Sequence, residues 1–521
     1  MPERGALLLA GVDVGTNATK CLICDLAGNV VGQGRYDYVL STPRPGWVEQ
    51  DAEELWQAVA SSVRQAVGQV GGAGEIVALS LSSQGGTTII VDAQGRPLRP
   101  AISWLDARGA EQGRRLLAQL GQDRIYNITG WELNTALPIV HIPWLAEHEP
   151  RTLRQASHIL FVNDFINWRL SGRLVMDPSD AALTMLYNIE TGAWDAEICA
   201  AIGLDMALLS PIEESGSPIG TLLPSAAAEL GLPPTTLLVN GAHDQYCAAL
   251  GAGVIAQGDV LLSTGTAWVL LAAADRLLRD PRHTLCPGRH ALPGKWGLLC
   301  SMPAAGASME WLVRNVVSQP GDSQPRYDLL DRNLADPEPG AHGLVFLPYL
   351  GGIEAATHSA GVWGTLTGLS LAHNRWHIAQ ALMEGVALEL RWILERLSDM
   401  GSPPAMLRVV GGATRSPIWP QIVADATGLP LSLPNVSEGA ARGAAMLAGL
   451  GAAAYANVQE ALDAWKREGT VIAPRDERTE AYAALYGRFR ALDRALRHQA
   501  GRDDEGEQGR QRPEEGGASC T

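Results

Sequence analysis

The amino-acid sequence predicts an α/β protein built from two domains, each with a mixed β-sheet flanked by helices. Three observations carry the prediction: a strand, small-residue turn and strand at residues 6–24, a second such pattern at 258–271, and βα units after each. Hairpins join antiparallel strands and βα units lead to parallel ones, so their mixture argues against a purely parallel sheet. The recurrence reads as an internal duplication of a hairpin-plus-α/β unit whose second copy starts near residue 250. The expected organisation is a first domain over 1–250, a second over 251–500, and a disordered tail over 501–521, where glycine and charge dominate.

Taken in order, Ala6–Val12 is an apolar strand run, Gly15-Thr-Asn its turn, and Ala27-Gly-Asn29 the next turn. Asp51 offers a helix N-cap with Glu54 three residues on, as in a capping box, and Leu55, Val59 and Val63 form an apolar stripe. Ile76–Ser82 and Thr88–Asp92 read as strands around Ser83-Gln-Gly-Gly86, and helical patterns dominate from about 107 to 230. Leu237–Gly241 is a buried strand that ends at His243-Asp-Gln245. After the second hairpin, a helix from about His377 to Met400 stops at Gly401. Met406–Val410 is a strand, followed by Gly411-Gly412 and a helix that Ser416 could cap with Pro417 as its first residue.

The chain of 521 residues has 46% hydrophobic and 18% charged residues, enough to bury large cores. Its net charge of −16 excludes a basic footprint for nucleic acid or an anionic membrane, so an anionic ligand must be held locally. The run at 6–12 is too short for a secretory signal and meets Asp13 at once, and Val260–Ala274, broken by Ser263-Thr-Gly-Thr266, is too short to span a bilayer. Seven cysteines without framework spacing fit a reducing cytoplasm. Cys21 and Cys24 match C-x-x-C, but on a strand residues three apart face opposite ways, which argues against a metal or redox pair.

No G-x-x-x-x-G-K-[ST] loop exists, and Gly251-Ala-Gly253-Val-Ile-Ala256 precedes a strand instead of linking strand to helix, so close helix packing explains it better than dinucleotide binding. The Asp13–Lys20 turn has more chemistry. Its small residues let several N–H groups point at one oxyanion, Thr16 adds a hydroxyl, Lys20 a charge, and Asp13 a water-bridged Mg²⁺ ligand. Alone, it reads equally well as a polar hairpin turn. Ser263-Thr-Gly-Thr266 is a second turn of the kind, and two such turns in two halves can face one polyphosphate.

These motifs resemble the FGGY carbohydrate kinase family, within the sugar kinase, chaperone and actin superfamily, and xylulokinases more than glycerol kinases. The resemblance runs from about Leu7 to Tyr455. Asp13–Lys20 is similar to the family's first phosphate motif, Leu261–Thr266 to the second, and Val409–Ser416 to the adenosine motif. Gly364–Leu369 with His377 and Met383-Glu-Gly385 resembles the C-terminal signature, with Leu382 as a departure, and Trp47–Asp51, Arg99–Trp104 and Phe346–Leu350 look xylulokinase-like.

The resemblance implies two actin/ribonuclease-H-like domains with the active site in the interdomain cleft, ATP and Mg²⁺ as cofactors, and transfer of the γ-phosphate to a ketopentose such as xylulose. It makes Asp244 the catalytic base and a metal ligand with Asp13. For Asp244 alone, a helix N-cap is the plain alternative. Gln84, Trp104, Asp106, Arg108 and Gln245 are the implied substrate contacts. Thr16, Asn17, Lys20, Gly265, Thr266, Gly411, Gly412 and Ala413 are the implied ATP and phosphate contacts, with Ala413 in place of a usual glycine. Glu438–Ala445 starts a small-residue helix, read either as a wall of the adenine pocket or as tight packing.

Three departures concern the acceptor. Gly85-Gly86 stands where xylulokinases usually place Met-His and glycerol kinases Arg-Glu, which is expected to remove polar contacts and leave room for a bulkier substrate or water. Gly351–Ala356 replaces an E-R-T-P stretch, and His141 stands in place of a lysine. The open alternatives are a kinase for another ketose, polyol or aldonate, and a non-metabolic ATPase or sensor on the same scaffold. The expected partners are a small-molecule sugar and ATP, with no nucleic acid and no membrane, and with monomer and homodimer both open.

Overall fold

Strands of this chain that are covered on both faces carry near-continuous apolar runs, and the first two show why the hairpin forms. β1 (Leu8–Val14) and β2 (Ala18–Asp25) bury almost every side chain. The Gly15 N–H closes the turn between them by donating to Ala18 O at 3.0 Å. β3 (Val30–Asp37) follows, and then α1 (Ala52–Val67), whose expected N-cap Asp51 accepts from the Glu53 N–H. β4 (Ile76–Ser83), the short helix α2 (Pro178–Leu183), β5 (Pro218–Thr221) and β6 (Leu237–His243) lead into α3 (Asp244–Gly251). This is a computed structural model, and it describes residues 7–71, 75–318, 324–351, 362–435, 438–467 and 469–499. The expected tail at 501–521 and the Gly352–Ala356 departure lie outside the described residues.

The first sheet has the order β5-β6-β4-β1-β2-β3. β1 is antiparallel to β2 and parallel to β4, β4 is parallel to β6, and β2 is antiparallel to β3. The second sheet comprises β7 (Asp259–Thr264), β8 (Trp268–Ala274), β9 (Cys286–Arg289), β10 (Trp296–Met302), β11 (Met406–Gly411), β12 (Leu431–Pro434) and β13 (Gly469–Ile472). Its order is β9-β10-β8-β7-β11-β12-β13, with β7 antiparallel to β8 and parallel to β11. The run β3-β2-β1-β4-β6 in one sheet is thus matched by β10-β8-β7-β11-β12 in the other, the duplication that the two hairpins announce.

Both sheets, apart from Met302 at the end of β10, lie in one compact unit formed by Met1–Ser301, Ile393–Arg415 and Leu429–Ile472. α3 and α4 (Gly439–Gly451) share a single buried cluster with Leu9 and Leu22 of the first sheet and Leu261 and Leu271 of the second. Each such leucine contributes about 1.5–3 kcal/mol by leaving water. The small residues of α4 serve this packing: a β-carbon on Gly443 would overlap the Cys247 carbonyl, and one on Gly251 would overlap that of Gly439.

The second unit, Met302–Trp392, Ser416–Gly428 and Ala473–Thr521, is largely helical where described, with Trp419–Thr427 and Asp476–Gln499 as two of its helices. The helix expected from Ser416 begins later. The Ser416 hydroxyl accepts from the amides of Ile418 and Trp419, a local turn that delays the helix until Trp419 and puts Pro420, not Pro417, in its first turn. Inside this unit Glu384 accepts from Gly340 N–H, Gln380 and Tyr482, and burial lifts its carboxyl to about 7. Among the described residues, no helix is long and apolar enough to cross a membrane and no group of His, Cys, Asp and Glu could hold a metal on its own.

Candidate active site

β6 ends at His243 and α3 begins at Asp244, so Asp244 stands in the first turn of the helix and His243 is its N-cap residue, without a side-chain capping bond. The N-cap alternative for Asp244 is thereby set aside. A carboxylate there is favoured by the helix's free amides. Asp244 Oδ1 is buried and accepts no hydrogen bond, with His243 Nε2 at 3.3 Å. Asp13, at the end of β1, accepts from Ser82 Oγ at 2.9 Å. Burial first, and then the charge of Asp244, raise its carboxyl to about 7 against the opposing pull of Ser82 and Lys20. The two carboxylates therefore feel one another. Lys20 Nζ donates to Glu438 Oε2 at 2.6 Å, so its charge is paired with the residue that precedes α4.

The tip of the first hairpin is tied to Gln84 and Trp104 by a chain of polar groups. Gln84 N–H donates to Val14 O at 2.9 Å, and its side-chain amide donates to Gln50 Oε1 at 2.9 Å. Gln50 donates in turn to Thr16 O, and Trp104 Nε1 donates to Thr16 Oγ1, both at 3.0 Å. Asn17 is exposed at the tip, where its carbonyl accepts from Tyr38 N–H. Gln84 Oε1 and Gln245 Oε1 remain buried without a partner.

Asp106 and Arg108 are placed differently. Arg108 Nε and its backbone N–H both donate to Asp106 Oδ1 at 2.8 Å, and Nη2 bridges Asp106 Oδ2 and Glu49 Oε1. Val48 N–H occupies Asp106 Oδ2 as well, and the guanidinium lies 3.9 Å over the Trp47 ring. These bonds hold the 47–49 and 104–108 segments against each other, and Arg108 Nη1 remains buried without a partner. His141 is fully buried with Nδ1 at 2.9 Å from Thr88 Oγ1, and burial pushes its imidazole down to about 3, keeping it neutral.

The space at Gly85-Gly86 is not open. A β-carbon on Gly85 would stand 2.7 Å from Leu183 Cβ and 3.0 Å from His243 Cδ2. One on Gly86, whose φ is +77°, would stand 2.6 Å from Leu137 Cδ2. The expectation of vacated room is corrected: Leu183, Leu137 and His243 fill it, and the corner presents an apolar wall.

In the second hairpin, Gly265 and Thr266 are exposed at the tip, and Gly265 N–H donates to Ala267 O. Thr264 clasps the following glycine turn, donating to Val410 O at 2.6 Å and accepting from Ala413 N–H at 3.1 Å. Gly411 holds φ +99° with Thr264 O 2.6 Å from where a β-carbon would be, so only glycine fits. A groove of about 500 Å³ opens beside it, lined among others by Val410, Gly411, Thr414, Pro434 and Thr470. Among Glu438–Ala445, Gly443 is required by close packing on the Cys247 carbonyl. Gln50 and His243 touch candidate residues but were not singled out by motif, with partners 34 and 1 positions away, and Glu438, read only with its helix, pairs with Lys20 across 418 positions.

The N-terminal domain profile of the FGGY family of carbohydrate kinases matches residues 8–251 and the C-terminal domain profile matches 260–452. The chain is 29% identical over 483 residues to a xylulose kinase of Bacillus subtilis, covering 92% of this chain and 96% of that one. It is 30% identical over 489 residues to a glycerol kinase of Chloroflexus aurantiacus, covering 90% and 95%. The crystal structure of a xylulose kinase from Rhodospirillum rubrum matches the fold with a TM-score of 0.89 at 29% identity, over 95% of this chain and 100% of that one. With both family domains matched and the duplicated sheet order in place, the chain belongs to the FGGY carbohydrate kinases, phosphotransferases of actin/ribonuclease-H-like fold with an alcohol group as acceptor.

Proposed function

We propose that this kinase transfers the γ-phosphate of ATP to a hydroxyl of a ketopentose such as xylulose, with Asp244 as the base. The observation that carries the reading is a pair of buried acceptor atoms without protein donors, Gln84 Oε1 and Gln245 Oε1, the second on the residue next to Asp244. Unpaired buried acceptors are costly, and a polyhydroxylated ligand supplies the missing O–H donors. The likeness to xylulose kinases of similar length favours a pentulose over other sugars.

In the proposed reaction the acceptor oxygen bonds to the γ-phosphorus, the bond to the ADP oxygen breaks, and the acceptor proton passes to Asp244. Thr16, Asn17, Gly265 and Thr266 offer backbone and hydroxyl donors to the phosphates at the two hairpin tips, with Lys20 adding charge. Gly411 lines the groove proposed for adenosine, and Gly412 and Ala413 continue the turn that follows it. Asp13 and Asp244 fit a Mg²⁺ that keeps most of its waters and phosphate ligands, since they are two mutually repelling carboxylates and not a full protein cage. When bound, that ion neutralises phosphate charge. Asp106 and Arg108 act by holding the Trp104 segment in place. The six described cysteines are free thiols, which fits a cytoplasmic enzyme.

The test is an ADP-release assay across pentuloses, hexuloses, polyols and aldonates on wild type and Asp244→Asn. The expected result is the highest kcat/KM with a pentulose and a loss of about 10³-fold or more in the variant with nucleotide binding intact. Retained turnover in Asp244→Asn removes the base, a different preferred sugar corrects the substrate, and ADP release indifferent to every sugar points to a switch or sensor.

A further inference from the structure

Two buried atoms without hydrogen bonds lie on adjacent side chains here, His243 Nδ1 and Asp244 Oδ1, and the same imidazole brings Nε2 to 3.3 Å from Asp244 Oδ1. We propose that His243 is a positioning residue of the acceptor site, which holds Asp244 by one carboxylate oxygen so that the other faces the acceptor hydroxyl. The proposal rests on the base role of Asp244 given above.

His243 is only 8% exposed. Its backbone is pinned from below, because its N–H donates to Ser179 Oγ at 2.9 Å and that hydroxyl donates to Asp177 Oδ1. Its ring is pinned from the side by Leu183, which shares with it the space a β-carbon at residue 85 would need, and by an edge-on contact with Tyr246 at 6.1 Å between ring centres. The imidazole therefore has little freedom, and its Nε2 lies 3.3 Å from Asp244 Oδ1, close enough for a hydrogen bond to form on a small rotation. The glycine at 85 and the histidine at 243 are one adaptation: an imidazole enters the corner from the end of β6, and the end of β4 gives up its side chain to admit it.

The chemistry follows from the donor set. A carboxylate that takes up an alcohol proton must present one oxygen to that alcohol, and an unconstrained side chain at the first turn of a helix samples several orientations. The Nε2–H tautomer of His243 donates to Oδ1, which fixes the carboxylate plane and leaves Oδ2 for the alcohol. Resting-state contacts of this kind are long and tighten when substrate engages. The imidazole keeps its proton throughout, and the proton of the alcohol goes to Oδ2.

The experiment compares His243→Leu, which keeps bulk without a donor, with His243→Gln, which keeps a side-chain N–H at a similar reach. Steady-state kinetics use the sugar of highest turnover in the ketose and polyol panel, alongside melting temperature and ADP affinity. His243→Leu is expected to lower kcat about 10- to 100-fold with KM for ATP and ADP affinity within about two-fold, and His243→Gln to recover to within about three-fold of wild type. If leucine destabilises the fold, His243→Phe keeps the ring shape and makes the same comparison. A kcat near wild type in the donor-free variants, or equal losses with Gln and Leu, overturns the proposal. Asp244→Asn run in parallel separates the two readings: full turnover there removes the base itself, whereas a dead Asp244→Asn beside a fully active His243→Leu removes only the role of His243.

Discussion

Replacing Asp13 by asparagine is expected to stabilise the unliganded protein while damaging catalysis, in a pH-dependent manner that can be worked out beforehand. The Asp13 carboxyl titrates at about 7 in the fold against 3.8 for an unperturbed aspartate, first because it is buried and second because Asp244 is charged nearby. For an acid whose folded pKa is raised, the folded state binds more protons than the unfolded state between those values. Stability is therefore lost as pH rises past 3.8, and the loss is complete above about 7. A rise of about 3 in pKa, at about 1.4 kcal/mol each, sets a ceiling on the order of 4 kcal/mol. Asp13 keeps some solvent contact, so screening reduces the working figure to about 2–3 kcal/mol. Asparagine retains an oxygen for Ser82 Oγ and discards the charge.

For a chain of this length about 1–2 °C of melting temperature corresponds to each kcal/mol, so unliganded Asp13→Asn should melt about 2–5 °C above wild type at pH 8. At pH 5 only about a third of the cost has built up, and the gap should shrink accordingly. Calorimetric melts of both proteins at the two pH values, with and without Mg²⁺ and ADP, measure this directly. Mg²⁺ with ADP should stabilise wild type more than the variant, and turnover of the variant should fall about 10-fold or more. A variant that melts below wild type at pH 8, or a gap equal at both pH values, refutes the electrostatic argument.

Two glycines offer further checks. Gly85→Ala drives a β-carbon to 2.7 Å from Leu183 Cβ, and overpacking of this kind costs about 1–3 kcal/mol, so kcat/KM for the sugar should fall about 10-fold with KM for ATP unchanged. The companion Leu183→Ala should recover part of it, and unchanged sugar kinetics in the single variant would show that the corner is not tightly filled. Gly411→Ala meets both a φ of +99° and the Thr264 carbonyl at 2.6 Å, a strain of about 1–3 kcal/mol. Titration calorimetry should find ADP affinity weakened about 10-fold with the KM for sugar unmoved, and unaltered ADP affinity would detach this turn from the nucleotide.

Much of the fold was legible because its signals are local. A strand buried on both faces shows as an apolar run, and a hairpin turn shows as Gly-Thr. Leu8–Val14, Asp259–Thr264 and Met406–Gly411 lie where those signals put them. The helix after Ser416 begins two residues later than expected because a serine hydroxyl can cap a helix or hold a turn, and only the surrounding chain selects between them. Lys20 shows the same limit in the site, since its pairing with Glu438 spans 418 positions.

The sequence by itself determined the family-like motif order, the duplicated hairpins, and the acid at the end of Leu237–His243, because each is written in contiguous residues whose types the backbone or the chemistry requires. Tertiary structure alone decided what surrounds those motifs. The Gly85-Gly86 corner reads as vacancy in one dimension, yet Leu183, Leu137 and His243 occupy it. Arg108, a sugar contact by motif, is held in place by Asp106 and Glu49 with Nη1 left unpaired. The reason is physical: which atoms fill a space, and which polar groups are left without partners, depends on side chains that meet only after strands far apart in the chain are laid in register.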